Sequence, residues 1–506
     1  MKICFLLPIS LLLCLQVAAE AGIDDEEEDE KSPDTAPGKA TDKQKPLMRV
    51  TSEAPIRRKS NVTVRVTTDA PDCPFRDGGV RYKRHNINHC FAECLGLFKD
   101  TANEDSCKFN PETWNAADQY CSNKFKPNQR SNKKVFCNFD TVSLDGARVA
   151  GIKGSASKWI VDSNFCTHIL LYPLVKYDEA RKKAVFMDEF FNTLRTHIKT
   201  FQSARLKVLL TIGNFWDSAK DMPLTISPRL FSAIARSDDQ RNSFVVDVVS
   251  IVKNYNLDGV NIRWIFPGSP FAVSEGFLAD KSNYVTLMSN FTSLLKPGGL
   301  LLTTECSGNK AIISRGLDIP KVAEAVDYLF VYATDYGGTR FSFTSLSTPN
   351  KEVRQSLEVF KNQINDNNQI ILSIKPDVEV FDLLKSNKLA KIGVPTVTDK
   401  REQIAWNKFL YRVLVTEKGK WEITKSNNEA LQSFACDGTK WASYDDMFSI
   451  QQRMEIVRSF GLGGVHVVAV FNDDISNDIG CGPTPVLRSI NEIVRGFNEC
   501  VLPSCP

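Results

Sequence analysis

In the stretch "LDGVNIRWIFPG" (257–268) an Asp-Gly turn at Asp258-Gly259 leads into an extended run in which Asn261, Arg263 and Ile265 fall on one side. An amide, a permanent cation and an aliphatic chain cannot between them deliver a proton. Acid–base chemistry here would have to come from carboxylates downstream, and Glu305 and Asp335 are the two placed to supply it. A buried guanidinium needs a carboxylate partner, so Arg263 is expected to pair with Asp335 or Glu305, a reading favoured over a relocated catalytic acid. Asn214, Trp216 and Tyr332 add an amide, an indole face and a phenol, and with Glu305 and Asp335 they are the candidate ligand contacts. Other aromatic residues in comparable positions are Phe139, Phe215, Trp264, Tyr336 and Phe471, of which Trp264 alternates away from Arg263 and is expected beneath helices.

Such residues need elements that bring strand ends together. From Lys133 onward short apolar runs, each followed by a helical stretch, occur at 135–139, 167–172, 207–212, 259–266, 300–304, 328–332, 369–374 and 464–471, with helices such as 238–255 and 444–460 between them. Eight strands so interleaved argue for an α/β chain closed as a (β/α)8 TIM barrel. In that architecture the chemistry sits at the carboxyl ends of the strands, where the residues above fall.

The 506 residues are 42% hydrophobic and 24% charged, enough to bury a large core and more than one folding unit. A formal charge of +3 gives no field that would draw nucleic acid or an anionic membrane. Lys2, the apolar run 3–15 and the small residues Val17-Ala18-Ala19 read as a signal peptide over residues 1–19, and no later segment approaches the roughly 20 apolar residues of a membrane span. The chain is therefore expected to be secreted, extracellular and free of membrane insertion. Residues 20–71, opening on an acidic run and continuing through Pro, Thr and Lys, read as a disordered leader; Arg57-Arg58-Lys59 is a place where a protease could cut it. Fourteen cysteines fall to twelve once Cys4 and Cys14 go with the signal, an even number that suits disulfides in an oxidising compartment. Five histidines and no second matching cysteine pair give no metal site, and nothing in the sequence asks for a cofactor. Asn61 and Asn290 open N-glycosylation sequons. Residues 72–130 form a cysteine-rich segment with two expected helices, read as a stapled cap on the main domain. Residues 499–506 are a C-terminal tail.

The runs "LKVLLTIGNFW" (206–216), "FSAIARSDDQRNSFVVDVVSIVKNYNLDGV" (231–260), "DIPKVAEAVDYLFVYATDYGG" (318–338) and "KWASYDDMFSIQQRMEIVRSFGLGGVHVVAVFNDD" (440–474) together resemble family-18 glycoside hydrolases, the chitinases and their inactive chitinase-like relatives. The likeness covers 133–498. It implies that the fourth strand should read Asp-Gly-x-Asp-x-Asp-x-Glu, the Glu protonating the glycosidic oxygen and the preceding Asp orienting the acetamido group whose carbonyl attacks. On this chain those positions are Asp258, Asn261, Arg263 and Ile265, and only the first is kept. Loss of a positioned general acid typically removes about 10² to 10⁴ in rate, and a cation at 263 has the wrong sign for a developing oxazolinium. The resemblance further places Thr334-Asp335 where active members carry Tyr-Asp, Val468 where a Trp floors the sugar site, and Gly213-Asn214 where Gly-Gly is usual. It implies a Cys137–Cys166 bridge, with Cys436–Cys481 the next pairing, and a reduced α+β insertion at 377–435 containing a helical 401–414. The cysteine-rich segment fits the family's chitin-binding modules poorly, because the Cys90–Cys94 gap is too short.

Three function classes remain open on these residues. The first is a secreted protein without hydrolase activity, expected as a monomer and binding chitin-like or other N-acetylglucosamine-containing glycans or a cell-surface protein, in the manner of the imaginal disc growth factors. The second is an unorthodox hydrolase using Glu305 or Asp335. The third is a scaffold or inhibitor acting through the cysteine-rich segment. The first is preferred, since the acid position is Ile265.

Overall fold

The computed structural model describes residues 131–140, 160–161, 164–214, 226–268, 278–334, 336, 342–387, 391–425, 431–476, 478–479 and 484–496. The signal, leader and cysteine-rich expectations, together with Asn61, Trp216, Asp335, Cys481 and the tail, lie outside these residues.

Eight parallel strands close into a barrel: β1 (Lys134–Asp140), β2 (His168–Tyr172), β5 (Lys207–Ile212), β6 (Gly259–Ile262), β7 (Leu301–Ser307), β8 (Tyr328–Tyr332), β9 (Ile370–Ile374) and β15 (Gly464–Val467). A hairpin of β3 (Val175–Asp178) and β4 (Lys183–Phe186) follows β2. The helices are α1 (Asp188–Ser203), α2 (Pro228–Arg236), α3 (Asp238–Asn254), α4 (Asp280–Leu295), α5 (Lys310–Gly316), α6 (Ile319–Ala325), α7 (Asn350–Lys361), α8 (Trp406–Tyr411), α9 (Met447–Ser459) and α10 (Pro485–Arg495). Serine caps start two of them: Ser227 accepts from the Leu230 amide at α2, and Ser237 from the Gln240 amide at α3, whose first turn carries Asp238 and Asp239.

Alternation along the strands sorts the two faces. Val135, Cys137 and Phe139 of β1 point outward into the large core shared with the helices, whereas Phe136 points inward and joins Leu170, Leu209, Phe330 and Ile371 in a separate buried cluster. All eight barrel strands form where apolar alternation put them. The fourth and eighth end earlier than expected, at Ile262 and Val467, where their ladder pairing stops.

Between β9 and α9 lies an antiparallel sheet in the order β11-β10-β14-β13-β12, made of β10 (Asp377–Leu383), β11 (Thr396–Ala405), β12 (Glu422–Thr424), β13 (Ser433–Cys436) and β14 (Lys440–Tyr444). Residues 401–405, read as helical, are strand: β11 pairs with β10 from Asp377↔Ala405 to Phe381↔Arg401, and the helix starts only at Trp406, whose Nε1 donates to the Asp445 carbonyl at 2.7 Å. The sheet continues to Tyr444, past the expected boundary at 435 and into the start of the expected 444–460 helix. A buried ion pair joins insertion to barrel, Arg453 Nη2 lying 2.7 Å from Asp445 Oδ1 and 2.8 Å from the Thr348 carbonyl.

Cys137 and Cys166 are bridged, their Cα atoms 5.9 Å apart. Cys436 is not: its thiol is free and buried against Phe434 and Trp441, and its Sγ lies 3.4 Å from the Asn387 carbonyl and accepts from the Gly438 amide at 3.3 Å. The expected Cys436–Cys481 bridge is therefore withdrawn, because the hairpin between β13 and β14 turns the sulfur into its own loop.

Candidate functional site

The barrel mouth is built by the residues just after β6. The Arg263 amide donates to the Ile212 carbonyl at 2.7 Å, which extends the β5–β6 ladder by one residue and aims the side chain inward. The close approach depends on Gly213, at φ +115°: a Cβ there would stand 2.4 Å from the Arg263 carbonyl oxygen and 2.6 Å from the Phe231 ring. Trp264, the next residue, turns outward and stacks on Phe231 of α2 at 5.4 Å, with its edge toward Tyr284 of α4.

Inside, Asn261, Arg263 and Glu305 join one polar network. Glu305 on β7 is fully buried, and its Oε1 accepts from Arg263 Nε at 2.9 Å and from Asn261 Nδ2 at 2.8 Å, while Oε2 lies 3.0 Å from the same Nε. Asn261 Oδ1 in turn accepts from Thr303 Oγ1 at 2.8 Å. The guanidinium lies 4.6 Å above the Tyr172 ring. Burial, the largest single influence, would lower the Arg263 pKa, but Glu305 together with Tyr172 and Tyr332 outweighs it and the pKa is raised. Of the two carboxylates offered as partners, Glu305 is the one among the described residues, and it is in contact with Arg263.

Ile265, expected at the acid position, packs with Tyr332 and Val468 in a buried apolar cluster edged by Phe266. The cavity behind it, lined by Trp264, Tyr284, Glu305, Cys306 and Ile313 among others, measures about 10 Å³, room for one water and not for a sugar ring. Burial, reinforced by Glu305, raises the Cys306 thiol pKa far above its usual range. Glu305 and Tyr332, expected among the ligand contacts, are thus corrected to interior residues: one is held by Arg263 and Asn261, the other covers Ile265. Asn214 stays half-buried at the end of β5. Phe139 and Phe471 face each other in the core at 5.0 Å, and the Tyr336 hydroxyl donates to Ser356 Oγ at 2.7 Å, so none of these offers an open platform.

Asp258 works at the other end of its strand. Its Oδ2 accepts from the Val208 amide at 2.9 Å and its Oδ1 meets Lys207 Nζ at 2.7 Å, tying β5 to β6. Asn290 lies on α4, its Nδ2 donating to Asn242 Oδ1 at 2.6 Å, and the Thr292 hydroxyl of the same sequon donates to the Met288 carbonyl at 3.0 Å.

Sequence reading missed two histidines of the barrel interior. His466 on β15 is fully buried, with Nδ1 3.1 Å from Ser373 Oγ, and burial, then the Arg263 charge, lowers its pKa well below the usual value. His168 stacks on Phe136 at 4.2 Å, and burial, then Lys134 and Lys207, lowers it to about 3. Inward alternation on two strands was the signal that could have found both. A folded pKa below the unfolded value of about 6.5 means the unfolded chain takes the proton first, so this stability is present above about pH 6.5 and drains as pH falls. Comparing wild type with His466→Gln by chemical denaturation isolates one site: the wild-type advantage should shrink by about 2 kcal/mol between about pH 7.5 and pH 5. Parallel pH profiles would show that His466 is not held neutral.

Comparison with known proteins agrees with this architecture. Residues 144–473 match the family described as "Glycosyl hydrolases family 18". The Drosophila melanogaster protein named "Probable chitinase 10" is 24% identical over 366 residues, covering 68% of this chain but only 16% of that protein. Catalytic domain 2 of the Ostrinia furnacalis Group II chitinase superposes with a TM-score of 0.63 at 22% identity, covering 72% of this chain and 97% of that one. Human YKL-39, described as a pseudo-chitinase with retained chitooligosaccharide binding, gives a TM-score of 0.60 at 18% identity, covering 72% and 99%. The family match spans well over half of the sequence, from the loop after β1 to the segment after β15, and on it the chain belongs to glycosyl hydrolases family 18.

Proposed function

We propose that this member of the family is a secreted chitinase-like protein that does not cleave glycosidic bonds and acts outside the cell as a binding or signalling factor. The observation that carries the reading is the Arg263–Glu305 pair beside Ile265. The acid position has no proton to give, and the Glu305 carboxylate is buried and held by three hydrogen-bond contacts from Arg263 and Asn261. Secretion is supported by the apolar amino-terminal run and by the Cys137–Cys166 bridge, a bond that persists in oxidising compartments.

The ligand class is N-acetylglucosamine-containing glycans, by analogy with the retained chitooligosaccharide binding named for YKL-39, or a cell-surface protein. With Val468 and Ile265 filling the floor, affinity for short chitin oligomers is expected to be weak. Incubating the purified protein with labelled chitotetraose should give no product above the uncatalysed background. Turnover abolished by Glu305→Gln or by Asp335→Asn would overturn the non-hydrolytic reading. Among the described residues no helix is long and apolar enough to cross a membrane.

A further inference from the structure

We propose that a neutral disaccharide unit of an N-acetylglucosamine-containing glycan binds in a cavity at the amino-terminal face of the barrel, the end opposite the mouth. The cavity measures about 530 Å³, within the range of small-molecule sites. Leu301 and Tyr328, the first residues of β7 and β8, form its floor, both half-buried and both resting on the inward cluster around Phe136 and Phe330. Its wall is the segment 366–369 before β9, which is braced from several sides. Gln369 Nε2 donates to the Ala323 and Val326 carbonyls at 3.2 Å each, and Asp366 Oδ1 accepts from the Asn368 amide at 2.9 Å. Lys133 Nζ reaches Asn368 Oδ1 at 3.4 Å while donating to the Leu462 carbonyl at 2.5 Å. Gly463 closes against the same wall, where a Cβ would stand 1.9 Å from the Asn368 carbonyl oxygen. A site fixed in this way binds without first having to order its own loop.

The charges around the cavity select the ligand. Glu324, Asp327 and Asp366 face Lys134 and Lys296 across it, and none of these residues is in an ion pair among the described residues. An anion would meet the carboxylates, a cation would meet the ammonium groups, and an apolar ligand would strip water from both. Sugar hydroxyls donate as well as accept, so they find a partner of either sign. Gln369 keeps its Oε1 free to accept, because its bonds to Ala323 and Val326 use only Nε2. The Tyr328 hydroxyl has no hydrogen-bond partner among the described residues, and burial, then Asp327 and Asp366, raises its pKa, so the phenol keeps a proton to donate. The ring and the Leu301 side chain supply an apolar surface for the C–H face of a pyranose.

The ligand class rests on the glycan-binding reading above, whereas the location follows from the cavity. At the mouth, the cavity behind Ile265 has no room for a sugar ring. Active sites of this fold lie at the carboxyl ends of the strands, so a glycan at the opposite end is held and not cleaved.

The test is calorimetric titration of the full chain with N,N′-diacetylchitobiose at low and high salt, with hydrogen exchange followed in the presence and absence of the sugar. Binding is expected with little salt dependence, since a neutral ligand carries no charge to screen. Protection should appear in 324–328 and 366–369. The double variant Glu324→Ala/Lys296→Ala removes exposed side chains that hold no other group, and it should weaken binding about tenfold with melting unchanged. Tyr328→Phe keeps the floor and loses only the hydroxyl, and should weaken binding about fivefold. Binding unchanged in both variants overturns the proposal. Binding lost instead in Asn214→Ala would put the sugar at the mouth, overturning the proposal and leaving the glycan reading standing. Salt-sensitive binding of free lysine or glutamate in place of the disaccharide overturns it too, by making a charged molecule the occupant. No binding of the disaccharide or of chitotetraose anywhere removes the glycan reading together with the proposal.

Discussion

Arg263→Met is expected to destabilise the protein by about 3–5 kcal/mol, because it leaves the Glu305 carboxylate buried without its cation. The loss measures an orphaned charge rather than the net worth of the pair. Taking two charges into the barrel interior is itself costly, and a well-packed apolar pair of similar volume can be as stable. The double variant Arg263→Met/Glu305→Gln should therefore recover most of the loss, since the side-chain amide introduced by the second substitution would keep an oxygen for Asn261 Nδ2. Chemical denaturation of the wild type, both single variants and the double variant gives the coupling between the two sites. Additive losses, or no loss at Arg263→Met, would show that the pair is not what fills the barrel mouth. The same cycle bears on function: a protein that kept Glu305 as a working acid would not place a guanidinium 2.9 Å from it.

Removing the Cys137–Cys166 bridge should cost about 3–4 kcal/mol. The bridge closes a loop with a sequence separation of 29, and the chain-entropy argument gives about that value for a loop of this size. Its anchors make relaxation difficult, since Cys137 pairs with Ile169 inside the β1–β2 ladder and both sulfurs sit in the outer core. A Cys137→Ser/Cys166→Ser protein should thus unfold at lower denaturant than the wild type by that amount. Reducing agent should shift the wild type to the same midpoint and leave the variant where it is. A wild type insensitive to reduction under partly denaturing conditions would mean that the bridge adds little to stability.

These two devices explain how the barrel survives the changes at its mouth. The catalytic strand of a hydrolase needs acids in a desolvated cleft, an arrangement that is electrostatically expensive to keep. Here the inward positions are Asn261 and Arg263 around Glu305, with Ile265, Tyr332 and Val468 closing the top. The Asp258 carboxylate holds the Val208 amide at the far end of the strand.

The amino-acid sequence by itself determined the barrel, an aliphatic side chain without a proton to give at Ile265, and the need of Arg263 for a carboxylate. Each is a local property: period-two alternation places strands, and a side chain's titrating groups are fixed by its type. The outward turn of Trp264 was legible for the same reason. What only the tertiary structure decided is which distant groups meet. Arg263 and Glu305 lie 42 residues apart, and their contact depends on the β6–β7 register, which aligns Asn261 with Thr303. The burial of Tyr332, the strand at 401–405 and the free Cys436 likewise come from cross-strand pairing. Register is chosen by the whole barrel and insertion packing together, and a one-residue slip would send every one of these side chains to the opposite face.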